Sequence, residues 1–126
     1  GVQTCALPIF FFGCRSSKTD FIYKDTLTEY VTSGVLSSDG LHVAFSREEG
    51  QAKVYVQDLI EESNEKLWDL IKKGAMIYIC GDAKRMSPGV KSAFVNIASK
   101  HMTQKEANCW MGSMLSDDRY LEDVYA

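Results

Sequence analysis

Apolar positions along the chain switch between two patterns. Short unbroken apolar runs bounded by glycine or polar residues read as buried strands, and repeats at three- and four-residue spacing read as helices. Residues 9–12, ending at Gly13, suit a strand buried on both faces. A helical stretch follows from about Asp20 to Ser33, with Tyr23, Leu27, Tyr30 and Val31 on one face and Gly34 as its stop. Ser37-Ser38-Asp39-Gly40 is turn chemistry, and residues 41–45 form the second strand. Residues 54–56 open an element that runs into a helix ending at Gly74, with Leu59, Ile60, Leu67 and Ile71 as its buried stripe and Trp68 partly exposed on the margin. Residues 75–80 are the clearest strand, apolar throughout Met76-Ile77-Tyr78-Ile79. Asp82 can cap the next helix, where Met86, Val90, Phe94 and Ile97 share a face. Thr103-Gln104-Lys105-Glu106 is a capping box opening a last helix that buries Ala107, Trp110, Met111 and Met114. A short aromatic tail covers residues 120–126.

Strands alternating with crossover helices predict an α/β fold: a doubly wound parallel sheet with flanking helices. Ligands of such sheets bind beyond the carboxyl ends of the strands. That rule puts Gly13-Cys14-Arg15, Ser46-Arg47 and Cys80-Gly81-Asp82 on one edge.

The length of 126 residues predicts one domain, and 45% hydrophobic with 25% charged content is that of an ordinary globular protein. Net charge is −3 with no basic cluster, which argues against nucleic acid and anionic membrane as partners. The apolar run at residues 6–12 is too short to span a bilayer. Cys5, Cys14, Cys80 and Cys109 form no CxxC pair, and neither His42 nor His101 completes a zinc motif, so no metal site is expected and the thiols read as reduced. His42 reads as a strand residue and His101 as an exposed loop residue. Residues 1–9 match the conceptual translation of a common sequencing-library adaptor. They are therefore expected to be non-native, with an incomplete domain over residues 10–126.

The strand endings carry the candidate chemistry. An Arg at the position of Arg47, where NAD-selective proteins commonly hold a carboxylate, accommodates the 2′-phosphate of NADP, and its planar fork can donate two charge-assisted hydrogen bonds to it. In an extended segment Lys53, Tyr55 and Gln57 would share one side and extend that anion and adenine surface; the same residues also fit a solvated strand edge. At Cys80-Gly81-Asp82 the glycine permits close backbone approach and the helix start offers amide donors to a pyrophosphate, although the tripeptide taken alone favours a buried structural Cys. Gly13 and Arg15 repeat this logic at the first strand, where Arg15 is either a pyrophosphate contact or a surface side chain.

Five segments in order, Phe11-Phe12-Gly13-Cys14-Arg15, Ala44-Phe45-Ser46-Arg47, Lys53-Val54-Tyr55-Val56-Gln57, Tyr78-Ile79-Cys80-Gly81-Asp82-Ala83 and Arg119-Tyr120-Leu121-Glu122-Asp123-Val124-Tyr125, resemble the C-terminal NADP-binding domain of the diflavin reductases. That domain is of the ferredoxin–NADP reductase type. The resemblance implies hydride transfer from NADP(H) to FAD, then electrons through FMN to a heme protein such as a cytochrome P-450. It further implies that Ser46 and Arg47 hold the 2′-phosphate with support from Lys53, Tyr55 and Gln57, and that Cys80 lies beside the nicotinamide. Asp123 then orients that thiol, and Tyr125 stacks on the flavin and moves aside. The remaining partners would be the protein's own FAD and FMN domains, with the whole either cytosolic or anchored to the endoplasmic reticulum on its cytoplasmic side. This stretch itself would make no membrane contact and would be inactive alone. Many P-450 reductases carry Trp where this chain has Tyr125, sulfite reductase flavoproteins carry Tyr, and Gly89 replaces an acidic cofactor contact of some members. A sulfite reductase flavoprotein or another fused reductase module is therefore the alternative, and a non-catalytic nucleotide-binding α/β module a more distant one.

Overall fold

The computed structural model describes residues 7–126, so the expectation for Cys5 and most of the adaptor-like stretch lies outside the described residues. The chain divides into two compact units between Leu59 and Ile60, and each is described by itself.

The first unit is built on β1 (Phe10–Cys14) and β2 (Leu41–Phe45), joined through α1 (Lys24–Thr32). The strands pair in parallel, from Phe10 opposite Leu41 to Cys14 opposite Phe45. The ladder extends past both ends, through Phe10 N–H to Gly40 O at 2.7 Å, Ser46 N–H to Cys14 O at 3.0 Å and Arg47 N–H to Arg15 O at 2.8 Å. The turn before β2 closes with Gly40 N–H donating to Ser37 O at 2.8 Å. A Cβ at Gly40 would stand 2.5 Å from Ser37 Oγ and 2.9 Å from its backbone nitrogen, so only glycine fits there. Ala44 and Leu36 are buried, and Phe21 packs its ring against Phe12 and Phe45 at 5.8 and 5.9 Å. His42 is a strand residue as expected, stacked on Phe11 at 4.6 Å.

Three expectations change in this unit. β1 is not buried on both faces: Phe10 and Gly13 are exposed and the rest of the strand only partly covered, because a two-stranded ladder supplies little to pack against. The helix begins at Lys24, after Tyr23 adopts a left-handed φ of 59°, and Tyr23 and Tyr30, placed on its apolar face by their spacing, are both exposed. Residues 53–57 are not an extended strand with Lys53, Tyr55 and Gln57 on one side, because α2 (Val56–Glu62) has already begun at Val56. The Asp58 carboxylate accepts from Tyr55 N–H at 2.8 Å, a helix-entry hydrogen bond that competes with strand continuation.

The second unit contains α3 (Asn64–Lys72), β3 (Ile77–Asp82), α4 (Met86–Ser99), α5 (Gln104–Ser116) and β4 (Tyr120–Tyr125). The single helix expected up to Gly74 is broken at Ser63, where Asn64 Nδ2 donates to Glu61 O at 2.9 Å and satisfies a carbonyl freed by the break. β3 and β4 pair in parallel from Ile77 opposite Tyr120 to Asp82 opposite Tyr125, with α4 and α5 as the crossover. The tail is thus a strand.

The core of this unit lies between that ladder and α4. Val90, Phe94 and Ile97 are buried as their spacing predicts, joined by Ile79, Ala107, Met111, Met114 and Tyr120, whose ring meets Phe94 edge-on at 6.1 Å. Met86 and Trp110 are only half-buried. Trp68 is buried, against the expectation of partial exposure: His101 stacks on it at 4.9 Å and Trp110 meets it edge-on at 5.4 Å. The imidazole of His101, exposed as expected, is the lid that linear spacing does not reveal. The Thr103–Glu106 capping box forms with both reciprocal bonds, at 3.2 and 2.9 Å. Arg119 Nη2 donates to Ile71 O at 2.7 Å and Ala75 O at 3.1 Å, tying the end of α3 to the start of β4.

Two losses of stability follow. Ile97→Ala, at a site 1% exposed, should cost about 2–5 kcal/mol, and Thr103→Ala about 1 kcal/mol. Urea unfolding followed by the fluorescence of Trp68 and Trp110, both in the second unit, measures each.

Candidate functional site

At the carboxyl end of the first ladder, residues 14–20 and 46–49 face each other across a cleft of about 460 Å³ lined by Arg15, Ser16, Lys18, Thr19, Arg47 and three acidic side chains, Asp20, Glu48 and Glu49. The backbone bonds from Ser46 and Arg47 to Cys14 and Arg15 bring the two expected strand endings together. Glu48 is engaged: it accepts from Ser17 N–H at 2.8 Å and Ser17 Oγ at 3.0 Å. Those bonds hold its carboxyl below the ordinary 4.5, the backbone bond most strongly. The Cys14 thiol beside the cleft is pushed up, first by burial and then by the negative charges of Asp20 and Glu48, so it stays protonated. Gly13 has room for a Cβ, meeting only Val56 methyls at 3.7 and 3.8 Å, so its backbone is not sterically reserved for glycine. Lys53, Tyr55 and Gln57 belong to the same unit but do not line this cleft.

In the second unit the register sets Cys80 across from Asp123 and Asp82 across from Tyr125, and Ala83 N–H extends the ladder by donating to Tyr125 O at 2.8 Å. Side chains alternate along a strand. Ile79, Tyr120 and Glu122 point toward α4, where Ser87 Oγ donates to Glu122 Oε1 at 2.7 Å and Lys91 Nζ lies 3.6 Å from the same oxygen. Cys80, Asp123 and Tyr125 therefore share the opposite face with Tyr78. That face is open: Tyr78 is 71% and Tyr125 66% exposed, and Cys80 and Asp123 are exposed too. Burial of Tyr120 raises its phenol well above the ordinary 10, with the charge of Glu122 adding to the shift.

The end of β3 reserves a position for glycine, whose Cβ side is occupied by the protein's own Met86. Gly81 has φ 143°, which side-chain-bearing residues rarely adopt, and the Met86 methyl stands 2.5 Å from where a Cβ would be. Asp82 does not sit at the N-cap of α4 as expected, because the helix starts only at Met86 with Arg85 as its N-cap and no side-chain cap bond. Its carboxylate instead braces the turn, accepting from Arg85 N–H at 2.7 Å and Met86 N–H at 3.3 Å, bonds that place its carboxyl below the ordinary 3.8.

The sequence reading puts all three strand endings on a single edge; within the units they occur as two pairs, Arg15 with Arg47 and Cys80 with Asp123. It missed the Ser17–Glu48 pair and the Ser87–Glu122–Lys91 cluster. Glu122 was open to discovery, since its parity with Tyr120 assigns it to the packed face of β4. Ser17 and Glu48 carry no such signal, because their contact spans 31 residues.

The donors present suit a phosphorylated nucleotide. Arg15, Lys18, Arg47 and hydroxyls gather at one strand edge, while a thiol and a carboxylate lie side by side on an open sheet face. Among the described residues no cluster of three or more His, Cys, Asp or Glu could hold a metal, and no helix is long and apolar enough to cross a membrane.

Parallel strands joined through helices, with their polar endings at the carboxyl ends, define an α/β nucleotide-binding class. The oxidoreductase NAD-binding domain family matches residues 5–92, and the chain belongs to that family. It is 43% identical over 119 residues to NADPH–cytochrome P450 reductase of Dictyostelium discoideum, covering 93% of this chain and 17% of that protein. The human NADPH–cytochrome P450 reductase is 38% identical over 120 residues, 94% of this chain and 17% of the relative. The sulfite reductase [NADPH] flavoprotein alpha-component of Vibrio vulnificus (strain CMCP6) is 40% identical over 117 residues, 91% of this chain and 18% of the relative. The chain thus spans less than a fifth of the length of these relatives.

A pH dependence follows for Asp82. A carboxyl whose folded pKa lies below its unfolded value contributes stability that is present above the unfolded value and lost as pH falls through the folded one. Stability should therefore drop on acidification below about 4, and Asp82→Asn should flatten that part of the profile. NMR titration of the Asp82 carboxyl checks the direction of its shift.

Proposed function

We propose that this chain is the NADPH-binding part of an NADPH–hemoprotein reductase of the cytochrome P-450 reductase kind, serving hydride transfer to FAD with electrons passing through FMN to a heme protein. The observation that carries the reading is the β3–β4 register, which sets Cys80 beside Asp123 on an open face with Tyr125 at its end. A binding module without redox work has no need for a thiol–carboxylate pair there.

In this reading Ser46, Arg47 and Arg15 bind the phosphates, Arg47 through its planar guanidinium fork, with Lys53, Tyr55 and Gln57 nearby in sequence as support. Gly81, Asp82 and Gly13 mark the pyrophosphate side of their own strand endings in this reading. When bound, NADPH supplies a hydride and the flavin receives it. The protein's share is placement: Cys80 abuts the nicotinamide, Asp123 orients the thiol, and Tyr125 covers the flavin until the nicotinamide displaces it. The unpaired thiols of Cys14, Cys80 and Cys109 suit the cytoplasmic side of the cell. A sulfite reductase flavoprotein is the second reading, favoured by Tyr125, the residue type that ends those proteins in the family resemblance, and by the Vibrio relative.

The direct test is nucleotide discrimination by this chain. Titration calorimetry should show 2′,5′-ADP binding far more tightly than 5′-AMP, and Arg47→Ala should cost the former about 3 kcal/mol, or ~100-fold, with little change for the latter. Equal affinities of the unaltered chain for the two nucleotides would remove the phosphate assignment. In a flavin-loaded reductase carrying this chain, Tyr125→Ala should raise kcat/KM with NADH relative to NADPH; steady-state kinetics with both cofactors reads the ratio.

A further inference from the structure

The cleft in the first unit has a charge problem that the phosphate reading does not itself solve. A site for a dianion is lined by three carboxylates, and one of them, Glu48, directly follows Arg47 in the chain. A free carboxylate there would pair with the guanidinium groups and repel the ligand. It is not free. Both of its oxygens are taken by one residue of the opposite loop, Ser17, whose backbone N–H donates at 2.8 Å and hydroxyl at 3.0 Å. The loop that presents Ser17 is itself held by local bonds, Lys18 N–H to Ser16 Oγ at 3.2 Å and Asp20 N–H to Ser16 O at 3.1 Å. Behind it, the backbone bonds from Arg47 N–H to Arg15 O and Ser46 N–H to Cys14 O keep the two loops in register.

We propose that the Ser17–Glu48 pair is a latch that sets selectivity for a 2′-phosphorylated nucleotide, by holding the Glu48 charge away from Arg15 and Arg47 and joining the two loops that form the cleft. The inference rests on the assignment of the 2′-phosphate to this cleft and adds the residues that keep its cations available. Ser17 and Glu48 are positioning residues: neither needs to touch the nucleotide. Bonds from a neutral hydroxyl and an amide satisfy a carboxylate without neutralising it, so what the latch controls is where the charge points. Removing the hydroxyl leaves one of two bonds and lets the carboxylate swing toward the guanidinium groups. Removing the charge as well abolishes the competition.

The test measures 2′,5′-ADP and 5′-AMP affinities by calorimetry for the unaltered chain, Ser17→Ala, Ser17→Thr, and Ser17→Ala combined with Glu48→Gln. Ser17→Ala should weaken 2′,5′-ADP roughly fivefold, the scale of an exposed ion pair with an arginine, and leave 5′-AMP within about twofold, which also reports that the variant is folded. Ser17→Thr, which keeps the hydroxyl, should retain the discrimination. The double variant should recover most of the lost 2′,5′-ADP affinity; a role confined to loop structure predicts the opposite, since both partners are then gone. If Ser17→Ala weakens both nucleotides alike, or the double variant binds 2′,5′-ADP no better than Ser17→Ala, the latch is overturned while the phosphate assignment stands. If the unaltered chain fails to distinguish the two nucleotides, that assignment falls and the latch with it.

Discussion

Parallel strand pairing is the constraint on which everything else depends. Two parallel strands cannot be joined by a tight turn, so each pair requires a crossover, and both strands of a pair end at the same edge. In the first unit this puts Arg15 and Arg47 at one cleft; in the second it puts Cys80 across from Asp123. In neither unit do the residues that meet lie close in sequence. The ladder brings them together, and the side-chain alternation along it separates the packed face from the open one.

The second unit shows how that separation is enforced. Tyr120, Glu122 and Val124 alternate with Leu121, Asp123 and Tyr125, so slipping the register by one residue would exchange the two sets. Such a slip is opposed by the burial of Tyr120 against Phe94 and by the bond from Ser87 to Glu122. Arg119 adds an anchor at the start of the strand through its two bonds to the end of α3. Polar and apolar contacts on the packed side thus position an acid and an aromatic on the other side.

Much of this was legible along the chain. The boundaries of β2 match the expectation, as do the capping box at Thr103 and the buried face of α4 from Val90 onward, because strand runs, caps and helical stripes are local signals. Two of the departures have local causes of another kind. Tyr23 takes a left-handed backbone that no apolar spacing encodes, and Asp58 draws Tyr55 into a helix entry where alternation suggested a strand. Trp68 departs from its expected partial exposure for a long-range reason: its cover is supplied by His101 and Trp110, far along the chain.

By itself the sequence determined the α/β class, most of the elements and the chemical inventory: cations at Arg15 and Arg47, a thiol at Cys80, an acid at Asp123 and an aromatic at Tyr125. These are properties of residue type and short-range spacing, and the ordered motifs made them recognisable. Tertiary structure alone decided which of them meet. Only the strand register makes Asp123 the neighbour of Cys80, and only the approach of two loops gives the Glu48 carboxylate its partner in Ser17. Hydrogen bonds and sheet registers that span tens of residues depend on how the chain closes on itself, and no local pattern records that closure.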